Sequence, residues 1–144
     1  MASQGKTLII GAAGAVGKRL CTALAARGHR VIASDRMEKL PGSLARSMGE
    51  LGTTHGGVDV TDGEALKALF REHADEHTTV WNLAAPLSVE TAMDPAVAEA
   101  VTIGGMEKAR NSRRRLITTR NQHPPHVESR LTTRNGTSPQ DGAA

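Results

Sequence analysis

The run Thr7-Leu8-Ile9-Ile10 passes directly into Gly11-Ala12-Ala13-Gly14-Ala15-Val16-Gly17, and no other junction constrains this chain as strongly. The first four residues read as a buried strand, and the glycines that follow read as a turn opening a helix. Each glycine has its own physical task. Gly11 permits a tight turn, Gly14 lets the backbone approach a ligand with no Cβ in the way, and Gly17 lets helix pack closely on strand. A pyrophosphate would then rest on unpaired N–H groups at the positive end of the helix. The glycine pattern alone also describes a turn with no ligand, so the surrounding sequence decides between the two.

That surrounding sequence contains a second strand, His29-Arg30-Val31-Ile32-Ala33-Ser34, which follows the amphipathic stretch from Val16 to Arg27 and the helix-stopping Gly28. It ends on Asp35, 24 positions beyond Gly11. A carboxylate roughly 20 residues past such a loop can accept hydrogen bonds from the hydroxyls of an adenosine ribose, and its charge repels a 2′-phosphate. The pattern therefore favours NAD over NADP, although Arg36 beside it could accommodate the extra phosphate. Asp35 could also simply begin a turn.

Strand and helix alternate further along. Met37 to Glu50 is weakly helical, and Pro41-Gly42 prevents one continuous helix across it. Gly57-Val58-Asp59-Val60 reads as a third strand, and Thr61 or Asp62 caps a helix that places Ala65, Leu66, Leu69 and Phe70 on one face. Thr79-Val80-Trp81-Asn82-Leu83-Ala84-Ala85 reads as a fourth strand ending at Pro86, with Trp81 packed beside the sheet. Asp94-Pro95 supplies the cap and first-turn proline of a further helix through Val97, Ala100 and Val101. Strands separated by helices of this length imply parallel pairing with right-handed crossovers. Asp59, at the end of the third strand, can accept from an adenine amino group with Val60 lining the base, or can cap the next helix. The small pair Ala84-Ala85 lets a flat ring approach the carboxyl edge of the sheet, where open α/β sheets bind ligands.

Composition enters where it limits these readings. A length of 144 residues fits one domain. No stretch approaches the ~20 apolar residues needed to span a bilayer, and Met1 to Lys6 carries no signal core, so a cytoplasmic protein is expected. The single Cys21 excludes an internal disulfide and reads as a small buried side chain. Residues 1–108 hold 11 basic and 13 acidic side chains, whereas residues 109–144 hold 7 basic, all arginine, and 2 acidic. That arginine-rich segment is poor in apolar residues and repeats itself, Ile117-Thr118-Thr119-Arg120-Asn121 recurring as Leu131-Thr132-Thr133-Arg134-Asn135. Such a composition does not bury enough surface to offset ordering, so residues 111–144 are expected to be a disordered tail after a domain of residues 1–110. Arg113-Arg114-Arg115 reads as a solvated charge run rather than a nucleic-acid contact. His73 and His77 have a metal-ligand spacing on, or just beyond, the helix after Asp62, but no third ligand accompanies them and no metal site is expected.

Over residues 6–108 the chain resembles the extended short-chain dehydrogenase/reductase superfamily, in its NAD-dependent epimerase/dehydratase branch. The loop from Gly11 to Gly17 is similar to that family's GxxGxxG loop, Asp59-Val60 to its adenine-contacting pair, and Asn82-Leu83-Ala84-Ala85 to its nicotinamide-side motif. The stretch Val80 to Ser88 is most similar to the short-chain type of L-threonine dehydrogenase and to sugar-acid dehydrogenases. The resemblance implies an α/β fold, a Rossmann-type three-layer parallel sheet, here incomplete with about four strands. It also implies a dinucleotide, NAD before NADP, on Gly11, Ala13, Gly14, Ala15, Val16 and Gly17, on Asp35 and Arg36, on Asp59 and Val60, and on Leu83, Ala84 and Ala85. Ser88 would be a substrate contact, or equally a solvated loop hydroxyl.

The family moves a proton with a Tyr-x-x-x-Lys pair and a hydride through the nicotinamide, yet this chain has no tyrosine. It reads as a truncated or frame-shifted form of a longer oxidoreductase, with a natural short form as the other reading. A small-molecule substrate is then expected only for full-length relatives. The alternative is a non-catalytic, dinucleotide-sensing module that associates with itself or with a partner adding a strand to the open sheet edge.

Overall fold

A computed structural model describes residues 4–86 and 93–122. Strand β1 (Lys6–Ile10) is buried along Thr7 to Ile10 and forms the middle of a parallel sheet. Strand β2 (Arg30–Ser34) lies on one side of it, with β3 (Gly52–His55) beyond, and β4 (Thr79–Asn82) lies on the other, in the order β3-β2-β1-β4. Leu8 stands opposite both Ile32 and Val80. The two-residue alternation of the strands sends Ile9, Val31 and Ala33 to one face and Leu8, Ile10 and Ile32 to the other. Helices α1 (Ala15–Ala26) and α2 (Gly42–Met48) cover the first face through Cys21, Ala25, Leu44 and Met48. Helix α3 (Gly63–His73) covers the second through Leu66, Leu69 and Phe70. The result is the expected three-layer α/β architecture with four strands.

Local signals account for most helix ends. Helix α1 stops at a Schellman turn, Gly28 N–H donating to Ala25 O at 2.9 Å and His29 N–H to Leu24 O at 3.0 Å. Of the two candidate caps for α3 it is Asp62 that serves, its carboxylate accepting from Glu64 and Ala65 N–H at 2.9 and 3.1 Å. Pro41 precedes α2, so the helix begins after the proline rather than running through it. Helix α4 (Pro95–Glu99) is capped by Asp94, continues through one π-helical turn (Ala100–Gly104), and runs on as α5 (Gly105–Gln122).

Three expectations need correction. The third strand is Gly52–His55, not Gly57–Val60. Gly57 has φ +69°, which breaks extended backbone, and Val58 N–H turns back to Asp35 O at 3.0 Å. The fourth strand ends at Asn82 rather than Ala85, although Leu83 N–H still donates to Ile10 O at 2.8 Å. Trp81 is 46% exposed on β4 instead of packed beside the sheet. Residues 111–122 continue α5, with Ala109 and Ser112 buried where this helix packs on α3. The rest of the expected tail, residues 123–144, lies outside the described residues. His73 ends α3 and His77 lies in the turn just beyond it, one of the two placements open to the pair. The His73 ring lies against His55 with ring centroids 3.9 Å apart. Burial, and then the neighbouring His73, pushes the pKa of His55 down.

Candidate functional site

The site forms at the carboxyl edge of the sheet, where the loops after β1, β2 and β4 meet the turn before α3. Gly11 N–H and Ala12 N–H both donate to Ser34 O, at 2.9 and 3.0 Å, so the first loop is tied to the end of β2. Gly11 has φ +81°, and a Cβ on it would come within 2.7 Å of Ala84 N, so only glycine fits between the β1 and β4 loops. At Gly17 a Cβ would come within 2.7 Å of Ala12 Cα, which is the close helix-on-strand approach expected of the third glycine. Gly14 differs from both. Among the described residues a Cβ there would meet only Gly11 O, at an ordinary 3.5 Å, so no packing among them requires the bare backbone.

What Gly14 faces is a cavity of about 440 Å³, within the usual range for small-molecule sites. Gly14 caps α1 with no side chain, and the first turn of that helix carries no acidic residue. The N–H groups of Ala15, Val16 and Gly17 belong to that first turn and have no carbonyl four residues back within the helix. This end of the cavity therefore presents positive dipole with no acidic side chain in the helix's own first turn.

The cavity is also acidic. Asp35 and Asp59 both border it, as does Arg36. Asp35 Oδ2 accepts the N–H of Ala13 at 2.9 Å and Oδ1 the N–H of Met37 at 3.2 Å. Asp59 Oδ1 accepts both the N–H and the hydroxyl of Thr61, at 2.8 and 2.7 Å. The Thr61 N–H and then its hydroxyl hold the Asp59 carboxyl below the usual carboxylate range against the opposing effect of burial, with smaller lowering effects of Arg36 and Lys108. The site thus keeps a carboxylate charged beside an apolar wall.

That wall is made by Val58, Val60, Val97 and Val101, and Leu83, Ala84 and Ala85 border the cavity from the β4 loop. Of the residues singled out in the sequence, Gly11, Gly14, Asp35, Arg36, Asp59 and Val60 meet around one cavity together with that β4 segment. Ala13 gives its N–H to Asp35, Gly17 lies beneath the loop, and Ala15 and Val16 form the exposed first turn of α1. Ser88 lies outside the described residues. Sequence reasoning did not place Met93, Asp94, Val97 and Val101 at the site. The four-residue spacing of Val97 and Val101 was the available signal, but it marks a helix face without saying what the face meets. Among the described residues no group of three metal-ligating side chains converges, and no helix is long and apolar enough to cross a membrane.

A parallel sheet with its glycine loop and its acidic β2 end meeting at the carboxyl edge defines a Rossmann-type nucleotide-binding domain. The chain belongs to the NAD dependent epimerase/dehydratase family, whose model matches residues 7–107. Among solved structures it is similar to the UDP-glucose 4-epimerase of Thermus thermophilus in complex with NAD, with 26% identity and a TM-score of 0.63 over 77% of this chain and 34% of that one. The UDP-glucose 4-epimerase of Stenotrophomonas maltophila, with bound NAD and formylated UDP-arabinopyranose, is similar at 26% identity and a TM-score of 0.64, over 76% of this chain and 33% of that one. An epimerase from Methanothermobacter thermautotrophicus matches at 26% identity and a TM-score of 0.64, over 79% of this chain and 33% of that one. The matched region spans about a third of the length of these proteins. No curated protein matches the sequence.

Proposed function

We propose that this chain is an NAD-binding unit of the epimerase/dehydratase family and that the cavity at the carboxyl edge is its dinucleotide site. The observation that carries this reading is Gly14, a bare backbone position that borders the cavity and that protein packing does not require. In this reading the segment Gly11 to Gly17 cradles the pyrophosphate, Asp35 takes the ribose hydroxyls of the adenosine, and Asp59 with Val60 takes the adenine. Leu83, Ala84 and Ala85 border the nicotinamide side. The charge of Asp35 favours NAD over NADP, with Arg36 as the group that would soften that preference.

When bound, the dinucleotide supplies a carbon that gives or takes hydride. Full-length relatives would use it on a hydroxyl-bearing substrate. This chain has no tyrosine to move the substrate proton, so it is expected to bind without turnover. A cytoplasmic location belongs to the same reading. Titrating NADH into the purified protein should give enhanced, blue-shifted nicotinamide fluorescence. A well-folded protein that leaves NADH fluorescence unchanged would end the reading, and turnover with threonine, sugar acids or nucleotide sugars would end the part that excludes catalysis.

A second reading, a dinucleotide-sensing interaction module, is favoured by one observation. Among the described residues β4 pairs only with β1, and its Trp81 is exposed, so the outer edge offers N–H and C=O groups to another strand. Sedimentation with and without NAD separates this from simple binding, because the sensing module must change its association state with ligand.

A further inference from the structure

Helices α4 and α5, joined by the π-helical turn, carry Val97, Val101, Gly105 and Ala109 at four-residue intervals. Val97 and Val101 border the cavity, Gly105 is buried, and Ala109 is buried in the core beside α3. In a regular α-helix each such step advances about 40° around the axis, so the first and last of these residues would stand roughly 120° apart. The wider π turn takes up part of that drift and keeps the four on one side.

Gly105 has ordinary helical backbone, φ −64° and ψ −43°, so its missing side chain is not a matter of conformation. It is a matter of space. A Cβ at Gly105 would lie 2.7 Å from Val60 Cγ2 and 2.8 Å from Val60 Cγ1. Val60 is only 5% exposed and β-branched, so it cannot swing clear as the end of a long side chain would. Gly104, one residue earlier, would meet only Lys108 Nζ at 3.7 Å. Both glycines give up about 1 kcal/mol of helix propensity relative to alanine, but only one of them has a steric reason for doing so.

We propose that Gly105 is a positioning residue for the base-binding end of the cavity. Its bare backbone lets the helix lie against Val60, and this contact sets the gap between Val60 and Val101 that receives a flat heteroaromatic base. The inference rests on the dinucleotide reading above and adds a residue that touches no ligand. A methyl group at Gly105 must push Val60 into the gap or carry Val101 away from it, and either movement spoils stacking on the base. The glycine loop, which holds the phosphates, is left in place.

The experiment follows the Gly14 amide in nuclear magnetic resonance titrations with ADP and with inorganic pyrophosphate. Gly105→Ala is expected to weaken ADP about tenfold, the effect of roughly 1.4 kcal/mol of overpacking, and to leave pyrophosphate within about twofold of the unsubstituted chain. Gly104→Ala should change neither ligand. In a Val60→Ala background, Gly105→Ala should weaken ADP no further than Val60→Ala does alone, because the clash is removed from the other side. Equal ADP affinity for the two alanine variants overturns the proposal, and so does a parallel loss of ADP and pyrophosphate in Gly105→Ala. Where the single variant does not fold, the double variant decides: ADP affinity equal to that of Val60→Ala supports the role, and a further tenfold loss overturns it. If the unsubstituted chain binds neither ADP nor NADH, it is the dinucleotide reading that falls first, and this proposal falls with it.

Discussion

Asp35 reaches back to the glycine loop, its Oδ2 accepting the N–H of Ala13 at 2.9 Å. The carboxylate that the spacing assigns to a ribose is therefore also the brace that joins the end of β2 to the loop after β1. Each of its oxygens has capacity for a further donor. Asp35→Asn removes the charge and leaves one acceptor oxygen where two are used. Losing charge-assisted hydrogen bonds worth about 1.5–3 kcal/mol corresponds to roughly a 10- to 100-fold weaker NADH complex. The preference for NADH over NADPH should narrow, because nothing then repels the 2′-phosphate. Parallel fluorescence titrations with the two cofactors check both statements.

Gly14 and Gly17 lie three residues apart and should fail in opposite ways. Gly14→Val sets its Cβ at an ordinary 3.5 Å from Gly11 O and adds a side chain at the border of the cavity, so thermal stability should hold while NADH binding disappears. Gly17→Ala drives a methyl group against the Gly11 carbonyl and Ala12 Cα, which should cost about 1–3 kcal/mol of stability. Chemical denaturation and NADH titration on both variants separate the effects. A Gly14→Val protein that binds NADH normally would remove the phosphates from this loop.

Cys21 should make the fold sensitive to alkali. Complete burial raises its pKa from 9.0 to about 11. The unfolded chain can then release the thiol proton at a pH where the folded chain cannot, so stability is full below about pH 9 and falls as pH rises toward 11. Urea midpoints at pH 8 and pH 10.5 should differ, and the difference should shrink in Cys21→Ala. The native thiol should also react slowly with a disulfide reagent until the protein is denatured.

Asp75 secures the opposite edge of the sheet. Its carboxylate accepts from Lys6 Nζ at 2.8 Å and from the buried Thr78 hydroxyl and His77 N–H at 3.0 Å each. The Lys6 hydrogen bond is the main reason its pKa is lowered, with those of Thr78 and His77 adding to it. A carboxyl with a depressed pKa stabilises the fold above the unfolded value of about 3.9 and loses that effect as pH falls through its own lower pKa. Asp75→Asn should cost about 1 kcal/mol at pH 7 for this half-exposed pair. The gap between the denaturation midpoints of the two proteins should narrow as pH falls below the unfolded value and the carboxyl takes up its proton.

The sequence by itself determined the elements whose causes are local. A β-branched apolar run, three spaced glycines, a carboxylate at the end of the next strand, Asp62 as a cap, and Pro95 in a first turn each act within a few residues, so β1, α1, β2 and α3 and the loop of the site could be read before any tertiary contact was known. Tertiary structure decided the rest. Strand β3 is an edge strand with exposed Thr53 and Thr54, so it carries no alternation to read, and its place at Gly52–His55 follows from pairing with β2. Helix α5 continues past residue 110 because small side chains pack on α3, a contact that composition cannot report. The apolar wall of Val97 and Val101 became part of the site only when the π turn and the bare backbone of Gly105 let their helix lie against Val60. Local hydrogen bonding and dihedral preference are written residue by residue, whereas the width of a cavity depends on how closely two distant segments can approach.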